Sequence, residues 1–117
     1  NRFKQVHVDE VRGLVESNAY ILDVREVGEF ANGHIKNAVN VPLSELRERM
    51  NEIPKDRTIY VHCRSAQRSY NAVMALLHNG YENVYNVSGS FLGICLYEYF
   101  NDVTKNREPI VTQYNFK

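Results

Sequence analysis

The residues best placed to do chemistry in this chain lie in the stretch Ile59 to Tyr70, IYVHCRSAQRSY. Ile59, Tyr60 and Val61 are β-branched or aromatic, the composition of a short buried strand. Tyr70, Val73, Met74 and Leu77 then recur at helical spacing, which predicts a helix with one buried face. Cys63 thus falls where a strand ends and a helix begins. The free N–H groups and the macrodipole at a helix N-terminus favour an anion there, and Arg64 and Arg68 supply cations on either side. A free thiol ionises near pH ~8.5 and at lower pH in such surroundings. The amides of Arg64, Ser65, Ala66, Gln67 and Arg68, curled inward, make a nest for the thiolate or a bound anion, with Ser69 closing the loop. That arrangement is nucleophilic without a neighbouring base. His62 is a poor base, because adjacent strand residues point to opposite faces. The plainer reading of a lone cysteine is an inert apolar filler. The two arginines argue against it for Cys63, whereas Cys95, among Gly93, Ile94, Leu96 and Tyr97, is expected to be core.

The elements that must position this loop can be read in order. Gln5 to Val8 alternate as an opening strand, and Asp9 is the expected cap of a helix burying Val11, Leu14 and Val15. Ala19 to Val24, AYILDV, reads as a strand covered on both faces. Arg25 to Gly33 holds an acidic helical turn with Glu26 and Glu29 outward and Val27 and Phe30 inward. A short strand around Val39 stops at Pro42. Leu43, Leu46 and Met50 mark a helix capped by Ser44 and ended by Pro54. After the Cys63 unit, Val84 to Val87 is the last strand and Phe91 to Phe100 the last helix, with residues 101–117 as an extension packed on the surface. Strand and helix alternate with short links, which predicts an α/β fold. Its core is a parallel sheet of about five short strands with helices on both faces. In such sheets the site lies beyond the carboxyl ends of the strands, where Cys63 and Asp23 both fall.

Composition narrows the function classes. The 117 residues form one expected domain, with a core over 5–100 and the extension beyond it. With 14 basic and 14 acidic residues the net charge is zero, so no broad field attracts nucleic acid or an anionic membrane. No apolar run approaches the ~20 residues needed to cross a bilayer, and NRFKQVHVDE lacks a secretory signal; a cytoplasmic location is expected. Cys63 and Cys95 are too few for a disulfide framework, and no cluster has metal-ligand spacing, so no metal is expected. The chain does not begin with Met and is read as a piece of a longer protein.

The run Ile21 to Leu46, ILDVREVGEFANGHIKNAVNVPLSEL, resembles the first signature of the rhodanese family: Asp-x-Arg, Glu-Phe, Gly-His-Ile, Ala and Asn-x-Pro. The stretch VHCRSAQRS and the later GYENVYNVSGS are similar to the active loop and closing strand of single-domain rhodaneses. The resemblance implies a sulfurtransferase. Cys63 takes a sulfane sulfur from thiosulfate, a polysulfide or a low-molecular-weight persulfide, holds it as a persulfide, and passes it to a thiol or cyanide. By the same resemblance the loop amides cradle the persulfide and the two guanidinium groups hold an anionic donor. Asp23 and Arg25 are expected to pair structurally beside the loop. His34 is read as a proton carrier or, more often for a histidine after a glycine turn, as a loop anchor. Ala66, Ser90 and Ile94 depart from the family pattern, standing where glycine, glycine and tryptophan are frequent. If position 66 needs a positive φ, the loop must carry strain there. The ending, GSFLGICLYEYFNDVTKNREPIVTQYNF, resembles that of coenzyme A-disulfide reductases with a C-terminal rhodanese domain. That resemblance implies a flavoprotein neighbour, to which FAD, NADH and coenzyme A belong; the chain itself has no G-x-G-x-x-G fingerprint. Two rivals remain. One is a binding or regulatory module without turnover. The other is a cysteine phosphatase, whose loop has one residue more between Cys and Arg than the four here, Arg64 to Gln67.

Overall fold

Alternating strand and helix wind into a wholly parallel five-stranded sheet in the computed structural model, which describes residues 3–117. Its strands are β1 (Lys4–Val6), β2 (Tyr20–Asp23), β3 (Val39–Asn40), β4 (Ile59–His62) and β5 (Val84–Val87), in the order β1-β5-β4-β2-β3. β4 lies at the centre, with Tyr20 opposite Ile59, Asp23 opposite His62 and Ile59 opposite Val84. The helices are α1 (Val11–Glu16), α2 (Val27–Ala31), α3 (Leu46–Arg49), α4 (Gln67–His78) and α5 (Ser90–Lys105).

Side-chain alternation along the strands divides the apolar residues into two cores. Leu22, Ile59, Val61 and Val84 face one way and pack with Leu46, Ala72, Val73, Leu76 and Leu77 from α3 and α4. Ile21 and Val87 face the other way, against Val11 of α1 and Phe91, Ile94 and Cys95 of α5. Both faces of the sheet are therefore covered, as the unbroken apolar runs of β2 and β4 require.

Several local expectations are corrected. The segment 101–117 is not merely a surface extension: α5 continues to Lys105, and Ile110 and Val111 are buried in the second core, where Val111 bridges Ile35. Asp9 does not cap the first helix; a 3-10 turn, Val8–Glu10, precedes α1, and the Glu10 carboxylate accepts the His7 N–H at 2.9 Å. Ser44 lies inside a 3-10 turn, Leu43–Glu45, ahead of α3 rather than capping it. Val27 is 62% exposed and Phe30 only half-buried, because a turn of helix this short buries none of its residues. Tyr70 likewise faces solvent, since the buried face of α4 is Ser69, Ala72, Val73, Leu76 and Leu77. No helix among the described residues is long and apolar enough to cross a membrane.

Candidate active site

Cys63 follows the last residue of β4, and residues 63–66 form the turn into α4. α5 clamps this turn from behind. The Phe91 N–H donates to the Cys63 carbonyl at 2.9 Å and the Leu92 N–H to the Arg64 carbonyl at 3.1 Å. Two free donors of the α5 N-terminus thus go to the loop's carbonyls. The backbone N–H groups of Ser69, in the first turn of α4 where N–H groups have no helical partner, and of Ser65 both lower the Cys63 thiol.

The residue is only 1% exposed. Burial by itself pushes the thiol up; the Ser69 hydroxyl and amide, the Ser90 hydroxyl and the Ser65 amide outweigh it and hold the thiol below its ordinary value. The expected loop amides thus take part in lowering the thiol, joined by the Ser69 and Ser90 hydroxyls. Arg68 is committed elsewhere: its Nη1 and Nη2 donate to Glu29 Oε1 and Oε2 at 2.7 and 3.0 Å. The Arg64 guanidinium makes no ion pair or side-chain hydrogen bond among the described residues. Gln67 is exposed and bonds Asn71 at 3.1 Å.

Ser90 is the site residue that sequence reasoning missed. It was noted only as a departure, yet its Oγ accepts the Cys63 N–H at 3.2 Å and lies 3.8 Å from Cys63 Sγ. Its φ is +50°, in the left-handed region, whereas the other non-glycine residues there among the described residues are Asn18, Asn37 and Asn106. The left-handed backbone therefore sits at Ser90 and not at Ala66, whose φ is −160°. The available signal was Ser88-Gly89-Ser90 at the carboxyl end of a strand, the rim where such sheets bind ligands. Ile94 is fully buried in the second core.

Asp23, Arg25 and His34 form a bracket beside the loop. Arg25 Nε and Nη2 donate to the Asp23 carboxylate at 2.7 to 3.1 Å, Nη2 also to the Gly33 carbonyl at 2.8 Å, and the guanidinium lies 4.1 Å from the Phe91 ring centroid. Burial would raise the Asp23 carboxyl, but His62 and Arg25 hold it low. His34 stacks on Phe30 and donates Nδ1–H to the Phe30 carbonyl at 2.8 Å, while Thr112 Oγ1 accepts its backbone N–H at 3.0 Å. These bonds tie α2 to the C-terminal segment. His62 is fully buried and donates Nδ1–H to the Cys63 carbonyl at 3.0 Å, and burial pushes its imidazole below the ordinary value, outweighing the nearby Asp23. Cys95 is buried and free, as is Cys63, and burial pushes its thiol up. No group of three or more His, Cys, Asp or Glu residues among the described residues is arranged to hold a metal ion.

A parallel sheet with a cysteine cradled between strand and helix is the arrangement of the rhodanese fold, and comparison supports it. The Rhodanese-like domain family matches residues 7–96, and the chain belongs to that family. It is 45% identical over 73 residues to the uncharacterized protein YqhL of Bacillus subtilis, covering 62% of this chain and 58% of YqhL. To a sulfurtransferase of Allochromatium vinosum it is 40% identical over 72 residues, covering 62% of this chain and 67% of the other. Among solved structures, reduced Bacillus anthracis CoADR-RHD superposes with a TM-score of 0.74 at 37% identity, covering 90% of this chain and 18% of that one. The matched region is thus 58% of YqhL and a small part of the B. anthracis chain.

Proposed function

We propose that this domain is a sulfurtransferase that carries a sulfane sulfur as a persulfide on Cys63. The observation that carries the reading is a cysteine at the turn from β4 into α4 whose Sγ lies 3.8 Å from the Ser90 hydroxyl and whose thiol Ser69, Ser90 and Ser65 together hold below its ordinary value. The thiolate attacks the outer sulfur of the donor, an S–S bond forms, and the donor's own bond to that sulfur breaks with its electron pair. Thiosulfate leaves as sulfite. The terminal sulfur then bears the negative charge that the same donors stabilise. An acceptor thiolate attacks that terminal sulfur, takes it as a new persulfide, and returns Cys63 to its thiolate. Kinship with a sulfurtransferase supports transfer as the activity. The test is intact mass after treatment with thiosulfate, polysulfide or a small persulfide. One added sulfur atom, removed by thiol and absent in Cys63→Ser, is expected. A thiol left unmodified by every donor means a module without turnover.

The setting we favour is a flavoprotein. Similarity to CoADR-RHD covers 90% of this chain, beyond the stretch 7–96 that the family spans, and so takes in part of the ending that resembles coenzyme A-disulfide reductases. In that setting FAD, NADH and coenzyme A are bound by the neighbouring domain, and coenzyme A persulfide is a natural donor or acceptor. Faster sulfur transfer with coenzyme A persulfide than with glutathione persulfide is the expected result; equal rates count against it.

A further inference from the structure

Glu29 and Arg68 come together beside the Cys63 loop from helices far apart in sequence. Both terminal nitrogens of the Arg68 guanidinium are engaged end-on by the two carboxylate oxygens, at 2.7 and 3.0 Å. Glu29 is itself held in place, since its Oε1 accepts the Glu26 N–H at 2.9 Å at the start of α2. The Arg68 bond holds the Glu29 carboxyl down to about 2, so the pair is ionised across the working pH range. Arg68 is the second residue of α4, directly after the Cys63 turn, and its guanidinium is raised first by the Glu29 bond and also by the Glu29, Cys63 and Glu26 charges. A carboxylate forked onto a guanidinium cancels most of its attraction for a second anion. Arg64 is then the loop cation left to meet a donor, and Glu29 adds a negative charge that repels one.

We propose that Glu29 is a specificity-determining residue: it withholds the charge of Arg68, so that the Cys63 site takes donors with a single negative charge at the sulfane-sulfur end in preference to ones with two there, such as thiosulfate. The inference rests on the sulfur-carrier reading and names its substrate class. The chemistry is the same for both charge types. With thiosulfate the S–S bond breaks and sulfite leaves; with a thiosulfonate, a monoanion, the leaving group is a sulfinate.

The experiment compares thiosulfate with toluenethiosulfonate on wild type, Glu29→Gln, Arg68→Gln and the double variant, reading kcat/KM for transfer to cyanide. Glu29→Gln is expected to raise kcat/KM for thiosulfate about tenfold more than for toluenethiosulfonate, which corresponds to ~1.4 kcal/mol of selective transition-state stabilisation. Arg68→Gln leaves the Glu29 charge bare and is expected to lower kcat/KM for thiosulfate more than for toluenethiosulfonate, and in the double variant the ratio returns to that of wild type, as the cancellation of two charges in contact requires. A ratio unchanged by Glu29→Gln overturns the proposal. So does an Arg68→Gln ratio that stays at or rises above that of wild type, whatever the stability of the Glu29 variant. If wild type loads no sulfur from either donor, the carrier reading itself fails; loading with an unmoved ratio sinks only the role of Glu29.

Discussion

Replacing Ser90 separates two effects that the native residue combines. Its hydroxyl touches Cys63 through Sγ at 3.8 Å and the backbone N–H at 3.2 Å, and its backbone is left-handed at φ +50°. A hydrogen bond to a charged group contributes roughly 1.5–3 kcal/mol. At this long contact about 1 kcal/mol is a fair share, or about fivefold in thiolate population. Ser90→Ala and Ser90→Gly should both lose it. Their stabilities should differ. Alanine keeps the left-handed cost of roughly 1–2 kcal/mol and leaves the buried Cys63 N–H unpaired, a further loss of ~1–3 kcal/mol. Glycine leaves the same N–H unpaired but is at home at this φ, against which its greater chain entropy costs roughly 0.5–1 kcal/mol. The glycine variant is therefore expected to be more stable than the alanine variant by up to about 1 kcal/mol. Alkylation by iodoacetamide against pH, normalised to its high-pH plateau, reads the thiolate, and urea unfolding reads stability. Unchanged alkylation profiles in both variants refute the role of the hydroxyl. An alanine variant as stable as the glycine variant refutes the strain.

Three further outcomes follow from the same contacts. Asp23→Asn leaves the buried Arg25 guanidinium without its carboxylate, and urea unfolding should show a loss of ~3–5 kcal/mol; a loss under about 1 kcal/mol contradicts the buried pair. Gly33→Ala meets φ +137° and puts a Cβ 2.5 Å from the Gln113 carbonyl oxygen, so a drop of roughly 2–4 kcal/mol in stability is expected from strain and overpacking together. Since the Cys63 thiol is held below its ordinary value of 9.0, its ionisation stabilises the fold fully above that value and loses this effect as pH falls through the folded value. Stability measured against pH should therefore show wild type gaining on Cys63→Ser as pH rises. A constant difference between them argues that the thiol is not shifted.

Much of the fold was legible because its signals are local. The apolar run Ile59–Val61, the helical spacing after it and the short links between strands are set by neighbours in sequence, and they lead to a parallel α/β sheet without reference to distant residues. Where the reading went wrong, the deciding partner was remote. The burial of Ile110 and Val111 depends on Ile35, a partner more than seventy residues away. The arginines near Cys63 gave no sign of their partner: Glu29, 39 residues from Arg68, pairs with that guanidinium.

The sequence by itself determined where a nucleophilic cysteine stands and that a strand end and a helix start hold it, because both follow from patterns a few residues long. Only the tertiary structure decided what surrounds the sulfur. Ser90, 27 residues away, reaches it because β5 lies beside β4 and delivers α5 to the back of the loop. Strand neighbourhood in the sheet is a property of the packed chain, and hydrogen bonds across it leave no spacing in the sequence to be read.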